Sequence, residues 1–281
     1  MAGRCNAPLA GLVGLGQARA MLPTLFLSHG SPMTAIEDTP ARRFLGGLSS
    51  FLPERPSAIL VASAHWETAA PAVNAPARNT TIHDFYGFPR PLYELRYEPP
   101  AAPWLAARTA ALLRASGLDC ATDTERGLDH GAWVPLLLAY PEADIPVIQL
   151  SLQTRLGPAH HLALGAALAP LREEGVLIIG SGSFTHDLRR FRVASGDYGA
   201  PEMPDVTAFS DWMNEKILAG DLAAMAEYRT RAPHARDEHP TDEHLLPLHV
   251  AMGAAGPKPQ AERLHSSVEF GFLRMDSYLF N

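Results

Sequence analysis

The sequence predicts an α/β fold: a single domain with a central, largely parallel or mixed sheet flanked by helices. Three observations predict it. Short apolar runs bounded by polar or glycine residues recur at 24–28, 58–64, 119–123, 145–151 and 176–181, the signature of buried strands. Helix-patterned segments lie between them, and such alternation favours a parallel sheet. No internal repeat or low-complexity linker divides the 281 residues, 47% of them hydrophobic, so one large core can form.

Taken in order, residues 1–20 read as a disordered leader ahead of a domain at 21–281. Their apolar stretch "LAGLVGLG" is short and glycine-rich, with only Arg4 before it, a weak secretory signal. The same glycines are in the wrong order for a dinucleotide loop, and no strand precedes them. "TLFLS" and "AILVASA" are the first two strands. The segment 76–100 is long and proline-rich, but Phe85, Tyr86, Phe88, Tyr93 and Tyr97 suit packing over a pocket better than a linker. A helix over 103–116 starts at Pro103 and stops before Gly117. Further helices are expected at 158–174, at 204–228 as a pair broken at Gly220, and at 241–253 with Thr241 as N-cap. Late strands are expected at 261–269 and 272–279.

Composition narrows the function. The net charge is −7, with 23 basic residues and no basic run, which argues against nucleic acid as a partner. No apolar run reaches membrane-spanning length. Cys5 and Cys120 offer neither a disulfide framework nor a zinc-ribbon spacing, and a reducing, cytoplasmic location is expected.

The twelve histidines carry the chemistry. His29 and His65 each end an apolar strand, and His186 follows a third in "VLIIGSGSFTHD". In an open α/β sheet ligands bind at the carboxyl ends of the strands. A lone histidine there is more often a hydrogen-bonded structural group. Three on one edge, beside Ser28, Gly30, Ala64, Ser181 and Gly182, point to a metal, since imidazole is its commonest protein ligand. His130 stands before a helical run in "GLDHGAW", and His244 lies in "HPTDEHLLPLHV". His249, five residues on, is not the i, i+4 partner of a zincin pair. His160 and His161 read as surface residues. No G-x-S-x-G elbow or Walker loop occurs. Ser181 and Ser183 near His186 suggest a serine hydrolase, but a triad leaves His29 and His65 unexplained.

The segments "LFLSHGSPM", "SAHWET", "TIHDFYGFPRPLYELRYEPP", "GLDHGAWVPL", "IPVIQLSL", "GSGSFTHDL" and "HPTDEHLLPLHVAMGAAG" together resemble the DODA-type extradiol ring-opening dioxygenases. These belong to the class III, protocatechuate 4,5-dioxygenase beta-subunit-like superfamily. The resemblance covers residues 22–279. It implies an oxidoreductase acting on a small aromatic diol of the 4,5-DOPA kind and on O2, at a mononuclear non-haem Fe(II) site. His29 and His65 match the first two ligands. The third comes from "TDEH", as His244 or, one residue earlier, Glu243. A helix N-terminus at Thr241 would disfavour a protonated imidazole there and keep His244 free to ligate. Three histidines also suit Zn(II), which is expected to occupy the site without supporting oxygenase activity.

His186 and His130 match the family's neighbouring histidines. A catechol must lose a proton to chelate a metal, and an acid helps the departing oxygen leave. His186 is assigned as the base and as a fourth ligand before substrate binds. His130 is assigned to orientation and acid catalysis. Trp66, Trp133, Phe85 and Tyr86 are candidate walls, and Arg90 or Arg96 a candidate partner for a substrate carboxylate. Two other functions fit the same histidines: a zinc-dependent hydrolase and a non-catalytic metal-binding protein of the same fold.

Overall fold

Four parallel strands form the centre of the sheet. They are β1 (Thr24–Ser28), β2 (Ala58–Glu67), β5 (Val147–Leu152) and β6 (Val176–Gly182), in the order β5-β2-β6-β1. On one side β3 (Ala72–Asn74) pairs antiparallel with β5, and β4 (Ala121–Asp123) pairs with β3. On the other, β10 (Ser277–Phe280) runs antiparallel to β1, and β7 (Ala261–His265) to β10. A hairpin of β8 (Val268–Glu269) and β9 (Leu273–Arg274) stands apart. The structure, a computed structural model, describes residues 20–192, 194 and 196–281. The leader expected at 1–20 therefore lies, except for Ala20, outside the described residues.

Both faces of the sheet are covered, which is why its central strands read as continuous apolar runs rather than alternating ones. Leu25, Leu27, Ile59 and Val61 point to one side, where α1 (Pro40–Gly46), α2 (Arg90–Glu94) and α4 (His130–Ala139) pack through Leu45, Leu92, Trp133 and Leu136. Leu60, Ile148, Leu150 and Ile178 point to the other, against α3 (Pro103–Ala115), α5 (Gly157–Leu168) and α10 (Leu246–Ala254). A third cluster joins Phe26, Tyr278 and Phe280 to α6 (Pro204–Leu218), α7 (Leu222–Ala226), α8 (Tyr228–Arg231) and α9 (Ala235–Glu238). Each fully buried Leu, Ile or Phe contributes about 1.5–3 kcal/mol. No helix of the described residues is long and apolar enough to cross a membrane.

Several expectations change. The strand expected at 119–123 is the short, largely exposed β4, and those expected at 261–269 and 272–279 each break into two. The helix expected over 241–253 begins at Leu246, after a turn. Pro247 takes its first turn, where a missing N–H costs nothing. Thr241 caps no helix; its hydroxyl donates to Glu243 Oε1 at 3.0 Å. His161 is not a surface residue but fully buried. Its Nδ1 donates to the Gly157 carbonyl at 2.7 Å and its Nε2 accepts the Gln153 N–H at 3.1 Å, which exempts it from solvent.

Burial holds His161 and His239 down at about 3 and His249 at about 4. Their ordinary value in an unfolded chain is about 6.5. Below that pH the unfolded chain takes up protons the folded one refuses, so stability is full above about 6.5 and falls on acidification. The urea midpoint of metal-free protein should therefore stay level from pH 7.5 to about 6.5 and then drop steadily to pH 5. A midpoint that stays flat or rises over that second interval would contradict this burial.

Candidate active site

The parallel strands β1, β6 and β2 lie side by side, so their carboxyl ends share one edge. His29 follows β1 directly, its N–H donating to Gly182 O at 2.9 Å. His65 is carried near the end of β2, and His186 lies just beyond β6. His244 arrives from the turn before α10. That turn approaches β6 so closely that a Cβ at Gly182 would sit 2.0 Å from the His244 carbonyl oxygen. The same oxygen accepts the Ser183 N–H at 2.8 Å. Asp242 pins the turn from below by accepting from Tyr228 Oη and Arg229 Nη1. His130 opens α4, and a Cβ at Gly131 would meet Ser63 Oγ at 2.5 Å.

All five predicted histidines thus meet. The rings of His29, His65 and His244 form a triangle with centroids 5.0, 5.7 and 4.9 Å apart. His130 lies 3.9 Å from His65, and His186 stacks on His244 at 3.4 Å. Donor atoms gather within 4.8 Å in two sets, His29 with His65 and His130, and His186 with Glu243 and His244. The predicted ligand trio therefore bridges the two sets, and His130 is the nearer neighbour of the first pair.

Hydrogen bonds decide which nitrogens are free. Ser181 Oγ donates to the Gly131 carbonyl, so it accepts from His29 Nδ1–H at 3.0 Å. That leaves His29 Nε2 with a lone pair, and it faces His65 Nε2 at 3.0 Å. His65 Nδ1 turns to Asp84 Oδ2 at 3.5 Å. His244 Nδ1 donates to Glu243 Oε1 at 3.0 Å, the kind of outer partner that fixes a ligand's tautomer. Two nitrogens each about 2.0–2.1 Å from one ion stand roughly 3.0–3.4 Å apart, and their ring centres roughly 4.5–5.2 Å. The His29–His65 and His65–His244 spacings fall in this range, whereas the 5.7 Å between His29 and His244 lies outside it, and Glu243 stands where an orienting carboxylate for His244 would.

Electrostatics agree. Burial first, then the neighbouring histidines, hold His29 and His244 well below the ordinary imidazole value. Burial and His130 bring His65 to about 4, against the pull of Asp129 and Asp84. Burial takes His186 to about 4 as well, opposed by Glu243. At neutral pH no proton need be displaced before a metal binds.

Asp84 was not singled out in the sequence. It accepts from both the backbone N–H and Nδ1 of His130, each at 2.9 Å. Burial pushes its carboxyl up, but the His130 hydrogen bonds and charge outweigh this and hold it at about 2. The only signal was its place in "TIHDFYG", within the loop read as covering a pocket.

The histidines open into a cavity of about 420 Å³, within the range of small-molecule sites. Its apolar wall includes Met33, Phe88, Leu188, Phe191, Tyr198 and Phe270, not the aromatics expected. Trp133 is fully buried and donates to Ile82 O, Trp66 is buried under Arg126, and Tyr86 is 92% exposed. Phe85 packs behind His130 at 5.8 Å. Arg90 pairs with Glu94, and Arg96 donates to the Tyr93 and Leu95 carbonyls. Neither lines the cavity.

Residues 23–280 match the family described as the catalytic LigB subunit of aromatic ring-opening dioxygenase. The chain belongs to this family. It is an extradiol ring-cleaving dioxygenase, an oxidoreductase. The chain is 48% identical over 269 residues to a Beta vulgaris protein named 4,5-DOPA dioxygenase extradiol, covering 95% of this chain and 99% of the relative. An Escherichia coli K12 protein of the same name is 37% identical, over 90% and 93% of the two chains. The crystal structure of an uncharacterized E. coli K12 protein superposes with a TM-score of 0.75 at 32% identity, covering 92% of this chain and all of that one.

His29→Ala and His65→Ala should each lose most of the bound metal by elemental analysis, since a three-ligand site does not survive removal of one. His244→Ala should behave alike. Metal loss from Glu243→Ala with retention in His244→Ala would make Glu243 the third ligand.

Proposed function

We propose that this dioxygenase opens the ring of a catechol such as DOPA at one Fe(II) held by His29, His65 and His244. The observation that carries the metal reading is the pair of His29 and His65 Nε2 atoms, 3.0 Å apart, with His29 Nδ1 held by Ser181 and His65 Nδ1 turned toward Asp84 at 3.5 Å. The printed names of the Beta vulgaris and E. coli relatives support the substrate class. When bound, iron supplies the charge that holds the diol oxygens and the electron transfer to O2, which Zn(II) in the same ligands does not.

The chain's own residues then manage protons and water. His186, neutral at pH 7 and at the cavity wall, takes the proton a catechol must lose to bind through both oxygens. Before substrate binds, the same imidazole would be able to serve as a further ligand, since its donor atom lies within 4.8 Å of that of His244. His130 also lines the cavity, and Asp84 commits its Nδ1. Its Nε2 is thus the nitrogen that orients the substrate and donates a proton to the leaving oxygen. Asp84 holds the ring of His130 through Nδ1 and its backbone through the N–H, so it acts as a positioning residue. Met33, Phe88, Phe191 and Phe270 exclude water from the ring.

Protein loaded with Fe(II) in the absence of air, then given O2 and a 4-substituted catechol, should consume O2 and form a yellow ring-opened semialdehyde. The Zn(II) form should do neither. His130→Ala and His186→Ala should keep the fold and the iron yet turn over more slowly by about 10²–10⁴, the usual contribution of a positioned acid or base. No O2 uptake by the iron form with any catechol, together with ester or amide hydrolysis by the zinc form, would replace this reading with a hydrolase.

A further inference from the structure

Polar partners fix a ring nitrogen of His29, His130 and His244: Ser181, Asp84 and Glu243 in turn. His186 differs. Among the described residues none hydrogen-bonds to its ring, which stacks on His244 at 3.4 Å. An imidazole without such a partner is placed by its backbone. The His186 N–H donates to the carbonyl of Glu238, the last residue of α9, at 2.8 Å. Beyond His186 the chain runs into a short 3-10 helix, Leu188–Arg192. Leu188 and Phe191 line the catalytic cavity from it, yet stay 50% and 43% exposed. Apolar packing alone therefore holds this segment weakly.

Arg190 lies in the same helix, but its side chain is only 12% exposed. Its Nη2 donates to Asp205 Oδ2, in the first turn of α6, and to Glu238 Oε1, each at 2.8 Å. Its Nε donates to Asp187 Oδ2 at 3.4 Å. The side chains of Asp187 and Glu238 are 8% and 0% exposed, so salt screens these contacts little. Hydrogen bonds from a charged donor are also about twice as strong as neutral ones. One guanidinium thus ties the segment after β6 to both α6 and α9. Glu238 closes the circuit, since its carboxylate accepts from Arg190 and its carbonyl accepts the His186 N–H. A buried ion cluster is weak evidence for stability. This one closes on the backbone of the histidine whose ring has no polar partner.

We propose that Arg190 is a positioning residue for the ring-opening reaction: by holding Asp187 and Glu238 it fixes the backbone from which His186 reaches the substrate. The role rests on the reading of His186 as the group that takes the catechol proton. A lysine does not replace it. An ammonium is a point charge on a flexible stem, without the planar fork that spans carboxylates on three different segments.

The test is a double-mutant cycle on kcat/KM for 4-methylcatechol, with the iron content of each variant measured alongside. Arg190→Lys keeps the positive charge beside Asp187 and Glu238, so the fold is retained. It should also keep the iron, because His29, His65 and His244 stand on other segments. Its kcat/KM should nevertheless fall by about 10–100-fold, the scale of a misplacement of roughly 1 Å. Arg190→Met should lose at least as much, and if it does not fold, Arg190→Lys decides alone. In a His186→Ala background neither substitution should cost more than about twofold, since the group they position is gone. A clamp that only steadies the fold or the Leu188–Phe191 wall would slow that background by the full factor. Full additivity with His186→Ala, a wild-type rate in Arg190→Lys, or loss of its iron would overturn this role alone. A wild-type rate in His186→Ala itself would overturn the reading of His186 as the base, and the role of Arg190 with it.

Discussion

Five imidazoles crowd one edge of the sheet, and they cannot all be charged. Two unit charges about 5 Å apart repel by about 3 kcal/mol at an effective dielectric of 20, and burial adds to that cost. His29, His65, His186 and His244 are accordingly held below the ordinary imidazole value. A neutral imidazole has one N–H and one lone pair, so the partner of the N–H decides where the lone pair points. Ser181, Asp84 and Glu243 are those partners for His29, His130 and His244. The requirement that the cluster stay neutral thus becomes a set of lone pairs turned inward.

The backbone meets this requirement by close approach. β6 is the middle strand of the three that supply the edge, and its glycine at 182 lets the turn carrying Glu243 and His244 lie directly on it. A side chain there would push that turn away and open the triangle. Behind His65 and His130, Asp129 accepts from Ser63 Oγ, Gln149 Nε2 and Arg126 Nη2. Three donors hold the Asp129 carboxylate in one place, although Arg126 Nε itself has no hydrogen-bond partner among the described residues. Arg126 also donates to the His65 carbonyl at 3.1 Å, so one network fixes both the strand end and the start of α4.

Much of this was legible in the sequence for physical reasons. β1, β2, β5 and β6 are buried on both faces, and continuous apolar runs reveal such strands. Three strand ends with a histidine at or just past each announced the site. β3, β8 and β9 are two or three residues long and carry no period to detect. Asp84 was missed because a single carboxylate in an aromatic loop resembles any solvated one until His130 is folded against it. Phe191, Tyr198 and Phe270 come from irregular segments, where sequence spacing says nothing about facing. His161 was misjudged because a helix start resembles a surface, and only the tertiary contact with Gln153 buries it.

The account turns on one ion bridging two sets of donors. Diffraction from iron-loaded crystals at the iron absorption edge tests that most directly. One anomalous peak per chain, bonded to Nε2 of His29, His65 and His244 with His130 outside the coordination sphere, is the result expected. An ion bonded to His130 in place of His244, or two separate ions in the two sets, would contradict it.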